Sequence, residues 1–220
     1  MKILVADVET TGKVEPIYIC EVAWAEIEEE DLGVIEEFVS LVNPGVPIPC
    51  DASGIHGIRT ADVQDSPRID EIEFPKESII LVAHQASFDA RLLAPYMNIV
   101  GTCCTLTLAR RLLPGALDFT LPTLSCYCNL PKQLNHRAQN DVRDCLGLLD
   151  YMAEGSGMTF QQLYEYSNTP IRLKNMPWGK HKNMPMELLP RGYVQWLAGL
   201  TDLDLDMKYT MRELYGVSYE

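Results

Sequence analysis

The run ILVADVETTG, residues 3–12, constrains this chain more than any other stretch. Its first four residues are apolar and partly β-branched, as in a strand bound for a core. Yet the strand ends with Asp7 and Glu9 only one residue apart. Side chains at i and i+2 of a strand share a face, so two carboxylates lie side by side on a sheet that ought to be buried. Like charges that close raise each other's pKa unless something positive compensates. Any fold this chain adopts must supply that compensation where its first strand ends.

The rest of the pattern says what kind of sheet this is. KILVADVET (2–10), PIYICEVAWAEIE (16–28) and VIEEFVSLVNP (34–44) read as three strands divided by turn signals, a natural antiparallel meander. SIILVAH (78–84) and NIVGTCCT (98–105) read as two more strands. Helical periodicity follows them in ASFDARLLAPYM (86–97), LTLARRLLP (106–114) and LPTLSCYCNL (121–130). HRAQNDVRDCLGLLDYMAEG (136–155) is a long amphipathic helix, with Leu146, Leu149, Tyr151 and Met152 on its apolar face and Gly155 as its C-cap. Thr60 is expected to cap a short helix, with Asp62 in its first turn. A meander followed by strand–helix alternation gives an α/β chain: a mixed five-stranded sheet with helices on its faces.

Composition sets limits. With 47% hydrophobic residues in 220, the chain can build a real core. No apolar run reaches the ~20 residues of a membrane span, and the start turns acidic too soon for a secretory signal. The seven cysteines form no CxxC pair, so reduced, mostly buried thiols in a cytoplasmic protein are expected. The net charge of −13 argues against a protein that holds nucleic acid by bulk positive charge. That charge is uneven, however. Residues 26–37 carry seven acids, read as the solvated end of a hairpin, whereas residues 171–192 carry five Lys/Arg against one Glu.

Two further acids interrupt otherwise regular patterns. Asp89 opens an apolar helix just past a strand, and Asp141 sits in the first turns of a helix with His136 five positions earlier. Taken singly, Asp89 reads as an acid favoured by the helix dipole and Asp141 as an ordinary exposed residue. Taken with Asp7 and Glu9, they make four carboxylates and one imidazole that can converge at a sheet edge. Hard divalent cations choose oxygen ligands. Two such ions ~4 Å apart hold the attacking and leaving oxygens of a phosphodiester in line. Their charge would keep Asp7 and Glu9 ionised together, and a nearby His can take a proton from water.

DVETTG, HQASFD and HRAQND, in this order and widely spaced, resemble the three motifs of the DEDDh (DnaQ-like) 3′→5′ exonucleases. The resemblance runs from about residue 3 to 150, and IHGI (55–58) resembles a further family element. One branch of the family also has segments like CTLTLARRLLPG and the tail WGKHKNMPMELLPRGYVQWL. The resemblance implies a ribonuclease H-like exonuclease fold over 1–155, a linker or short helix over 156–170, and a small basic C-terminal module over 171–220 as a possible DNA contact. It implies two Mg²⁺ ions, with Mn²⁺ able to replace them, held by Asp7, Glu9, Asp89 and Asp141, with His136 as general base. Thr10 and Thr11 would lie beside the 3′-terminal nucleotide. Two positions depart from the family pattern: Gln85 stands where Asn is common and Val142 where Ala is common, and Gln85 leaves the local substrate contact in doubt.

The remaining candidates each carry two readings. His84 is a core histidine or a phosphate contact; Phe88 is read as packing, His56 as a loop-positioning residue, and Glu21 as an inward acid that hydrogen-bonds neighbouring loops. Trp178, Lys180 and Lys182 suit DNA contact, by stacking and phosphate neutralisation, or else serve the tail's own core and solubility. The expected activity is metal-dependent release of 5′-mononucleotides from DNA 3′ ends, single- or double-stranded, with no membrane partner. An RNA 3′ exonuclease and a non-catalytic nucleic-acid-binding or polymerase accessory module are the competing readings. Oligomeric state stays open, a homodimer included.

Overall fold

In the computed structural model, which describes residues 1–131, 136–200 and 203–219, the acid-bearing strand β1 (Lys2–Thr10) is central in a five-stranded sheet ordered β3-β2-β1-β4-β5. β2 (Ile19–Ile27) and β3 (Val34–Leu41) form the antiparallel meander with β1. β4 (Ser78–Ala83) and β5 (Asn98–Cys104) run parallel to it. The mixed sheet expected from the sequence is the one observed. The helices of this unit are α1 (Cys50–His56), α2 (Ala86–Leu93), α3 (Thr105–Leu112), α4 (Leu121–Tyr127), α5 (Ala138–Ser156) and α6 (Phe160–Asn168).

The period-2 rule explains where the acids go. Ile3 and Val5 join a buried cluster with Val142, Cys145, Leu148, Leu149 and Met152 of α5. Leu4, Ala6 and Val8 join a second cluster with Leu93 of α2 on the other face. Odd-numbered residues of β1 therefore face α5, and Asp7 and Glu9 continue that face where β1 ends. Burying each large aliphatic of these layers contributes about 1.5–3 kcal/mol, enough in sum to hold two acids on an otherwise apolar sheet.

The structure departs from the sequence reading at element ends. α2 stops at Leu93, four residues short, because Pro95 cannot extend it. The C-cap of α5 is Gly157 at φ 67°, two residues beyond Gly155. Its buried stripe is Ala138, Val142, Cys145, Leu148, Leu149 and Met152, with Tyr151 left exposed and Leu146 half-buried. Thr60 begins a 3-10 turn without capping it; its hydroxyl accepts the Ile48 N–H, while Asp62 bonds back to the Arg59 N–H. α6 buries Phe160 and Leu163 in the α5-side core, and Tyr164 fills the space over Gly101 of β5, where a Cβ would meet its hydroxyl at 2.4 Å. The first compact unit is Met1–Ser167, and the short helix allowed over 156–170 is α6. Among the described residues, no helix is long and apolar enough to cross a membrane. All seven cysteines are free, four of them buried.

The second unit, Asn168–Glu220, has no sheet of its own among the described residues. Its basic segment folds back on itself: the Met176 N–H bonds to Met184 O at 2.8 Å and the Met186 N–H to Lys174 O at 2.9 Å. α7 (Arg191–Ala198) and α8 (Leu205–Tyr215) follow. Asp204 caps α8 by accepting the Met207 N–H at 2.8 Å, and Gly216 at φ 65° ends it. Met176, Met186, Leu189, Leu197, Leu203, Met207 and Met211 make a separate small core.

Candidate active site

β1 and β4 are paired only from Lys2–Ile79 to Val5–Val82, so the last residues of β1 run on past the ladder. A crevice outside the carboxyl ends of parallel strands is where α/β sheets place their ligands. Here the freed Val8 N–H is accepted by the carboxylate of Asp89, in the first turn of α2. Asp89 is 2% exposed, and burial raises its pKa to about 8 against the pull of that hydrogen bond.

The other three acids crowd the same place. Burial, then Asp89, Asp141 and Glu9, push the carboxyl of Asp7 well above the ordinary aspartate range. Glu9 rises to about 8, chiefly by burial and then by Asp141 and Glu21. Asp141 rises to about 6, again chiefly by burial, offset by the His136 backbone N–H that bonds to it. One ligand atom from each of Glu9, His136 and Asp141 falls within 4.8 Å of the other two. The fold therefore gathers all five residues that the motifs singled out. The cation nearest in charge to Glu9, Arg137, is taken by another carboxylate, as described next. Four carboxylates this close are a donor set suited to hard divalent ions.

His136 is held by its surroundings. It sits at φ 60°, a conformation that few side-chain-bearing residues adopt. Just after it, Arg137 donates from Nε to both carboxylate oxygens of Glu21 at 3.1 Å. The Ala138 N–H, the first of α5, reaches Glu21 Oε2 at 2.8 Å. Glu21 is 1% exposed and lies opposite Glu9 in the β1–β2 ladder. The inward acid of β2 therefore fastens the start of α5 to the sheet, and with it the imidazole. Arg137 is the residue that sequence reasoning passed over. The signal was there, since a buried Glu needs a cation and Arg137 lies inside the third motif.

The first turn beyond β1 is equally tied down. His56 Nδ1 accepts the Ile58 N–H at 3.1 Å, which leaves Nε2–H to donate to Thr10 O at 3.2 Å. Burial, foremost, holds the ring's pKa below the usual histidine value. Gly57 at φ 75° supplies the left-handed turn that makes this possible. The hydroxyl of Thr10 donates to Gly12 O, and that of Thr11 accepts the Tyr18 N–H. Both threonines are buried, so what they offer a ligand is chiefly backbone and methyl surface.

The other candidates sort by geometry. His84 spends both ring nitrogens inside the protein, on Thr105 Oγ1 at 3.0 Å and Phe119 O at 2.8 Å, and burial lowers its pKa. The expected phosphate contact is therefore corrected to the core reading, because neither nitrogen is left for a ligand. Gln85 is exposed at φ 72°, at the N-cap of α2. Phe88 is half-buried against the α2-side core, as packing requires. Trp178, Lys180 and Lys182 belong to the second unit.

Comparison with known proteins places this arrangement. The family profile described as Exonuclease (RNase_T) matches residues 4–149. Exodeoxyribonuclease 10 of Escherichia coli K12 is 30% identical over 217 residues, covering 94% of this chain and 96% of that protein. Among solved structures, Exonuclease X in complex with 5′ overhanging duplex DNA superposes with a TM-score of 0.63 at 32% identity, covering 75% of this chain and 99% of that one. E. coli Exonuclease I in complex with a dA16 oligonucleotide shares the fold at a TM-score of 0.58 and 16% identity, covering 75% of this chain and 42% of that one.

Proposed function

We propose a function from one premise: this chain belongs to the RNase_T exonuclease family, DnaQ-like in its motifs, and is an exonuclease with the ribonuclease H-like fold. Its substrate is DNA, cut from the 3′ end with release of 5′-mononucleotides. The observation that carries this reading is the convergence of four pKa-raised carboxylates with His136 at the C-terminal end of β1. The names of the two relatives above 30% identity or at it, an exodeoxyribonuclease and an exonuclease bound to duplex DNA, support DNA as the polymer.

Asp7, Glu9, Asp89 and Asp141 would hold two Mg²⁺ ions, with Mn²⁺ as substitute; such ions supply the positive charge that stabilises a phosphodiester's attacking and leaving oxygens. The chain's own residues do the rest. His136, oriented by the Glu21–Arg137 bridge, takes the proton of the attacking water. The Thr10–Gly12 turn, locked by His56, presents a fixed wall to the terminal nucleotide. Bound cations would keep the carboxylates ionised together and would offset their repulsion of a polyanion. Salt-sensitive binding follows.

The test uses 5′-labelled single-stranded DNA, duplex DNA and matched RNA, with Mg²⁺ and with EDTA. Shortening of DNA from its 3′ end, abolished by EDTA, is the expected result. Degradation of RNA alone moves the chain to the RNA reading. If no 3′ end is cut with Mg²⁺ or Mn²⁺, a nucleic-acid-binding module takes its place.

A further inference from the structure

The second unit leaves aromatic surface open at the edge of its own core, against which Trp178 and Tyr193 are half-buried. Trp196 on α7 is 49% exposed, while its neighbour Leu197 is fully buried in that core. Tyr193, one helical turn earlier, lies 5.1 Å from Trp196 between ring centroids, at an interplanar angle of 31°. Trp178 meets Trp196 edge-on at 6.5 Å, and His181 meets Tyr193 edge-on at 4.5 Å. Four rings from the basic turn and from α7 therefore form one continuous patch. Gly179 at φ 73° makes the turn, and a Cβ there would meet the Tyr193 hydroxyl at 3.0 Å. Its absence lets the turn close on α7. Positive charge surrounds the rings: Lys180 and Lys182 flank His181 in sequence, and Arg191 opens α7. The segment 171–192 has five Lys/Arg against one Glu in a chain of net charge −13. A dimer contact would not need that reversal of sign.

We propose that Trp178, His181, Tyr193 and Trp196, with Lys180, Lys182 and Arg191, form a second polynucleotide site that stacks the unpaired bases of single-stranded DNA. The inference rests on DNA being the substrate and extends it: the second unit captures strand independently of the carboxylate site. Aromatic faces stack on any base, and lysines follow the phosphates, so the site is tolerant of sequence.

The test is fluorescence anisotropy with a labelled oligothymidylate, in EDTA, on the full chain carrying Asp7→Asn. Trp196→Ala and Tyr193→Ala should each weaken binding by about 5- to 100-fold. Trp196→Phe should restore most of it, which separates lost stacking from lost folding. The double change Lys180→Gln, Lys182→Gln should reduce the slope of log affinity against log salt by about 1.4. Oligothymidylate should also quench tryptophan emission, in which Trp24, 6% exposed in the first unit, takes no part. With Asp7 intact, hydrolysis of a dinucleotide with Mg²⁺, which reads the carboxylate site alone, should be unchanged by all these variants. Unaltered affinity in both alanine variants overturns the proposal, as does a loss of affinity that sedimentation traces to dissociation of a dimer. Failure of dinucleotide hydrolysis in the wild type would count against the exonuclease reading instead.

Discussion

The two compact units solve opposite problems. The first holds like charges together: its buried clusters are dominated by Val, Ile and Leu from paired strands and helices, and they bury Asp89 to 2% exposure with the half-buried Asp7 beside it. Among its described residues the second has four methionines in a buried cluster of seven hydrophobics and no sheet, and leaves Trp196 outside. Methionine is unbranched and adapts to irregular gaps, whereas β-branched strands fix backbone positions. A site proposed to hold two cations would need the rigid kind of core. A surface proposed to stack on any base would tolerate the adaptable kind. The difference shows that charge density inside a protein is limited by the stiffness of the scaffold around it.

Substitutions can break this contrast, beginning with the largest effect. Asp89→Asn removes one proposed ligand and keeps the shape, so turnover on 3′-labelled DNA should fall about a thousandfold, several kcal/mol of barrier, while melting in EDTA stays unchanged or improves. A melting temperature that drops with activity would show that Asp89 serves structure instead.

The second effect is on pH. Folded-state pKa values of about 8 for Glu9 and Asp89 and about 6 for Asp141 lie above their usual 4.5 and 3.8. The folded chain then binds more protons than the unfolded one, so the stability these groups contribute is fully present below their unfolded values and is lost as pH rises through 6 to 8. In EDTA, melting should fall by on the order of 5 °C between pH 5 and 9 relative to Asp89→Asn, and Mg²⁺ should flatten the fall. A flat profile in EDTA would mean that the carboxylates do not oppose one another.

Glu21→Gln keeps an acceptor for the Ala138 N–H but loses the charge facing Arg137. Stability should drop by about 1–3 kcal/mol, and kcat by about 10- to 100-fold with little change in KM, since His136 loses its orientation. Equal loss in kcat and binding would argue for general damage. Gly101→Ala should force Tyr164 away and cost about 1–3 kcal/mol. Protease should then cut before residue 168 rather than after it, if α6 belongs to the first unit as its packing implies. Smallest of all, Arg91→Ala removes an exposed partner of Glu15 and should alter unfolding free energy in urea by no more than about 0.5 kcal/mol.

Local pattern carried far in this chain. The alternation in ILVADVETTG fixed which face Asp7 and Glu9 share, and the order of DVETTG, HQASFD and HRAQND marked Asp89, His136 and Asp141 before any coordinates. Strand identity and the mixed sheet were equally readable, because periods of 2 and 3.6 are set by neighbours in sequence. Element ends were less so: Gly155 and Gly157 both suit a C-cap, and only the packing of α5 selects the second.

Tertiary structure alone decided the long-range pairings. Glu21 and Arg137 lie 116 positions apart, and His56 meets Thr10 across 46; no periodicity reports which inward acid will meet which cation. The same holds for His84, whose two nitrogens found Thr105 and Phe119, and for Trp196, which a helical wheel would bury beside Leu197. Sequence specifies the direction of each side chain relative to its own strand or helix. What that side chain meets depends on where another element comes to rest, a quantity set by the sum of many contacts and written in none of them singly.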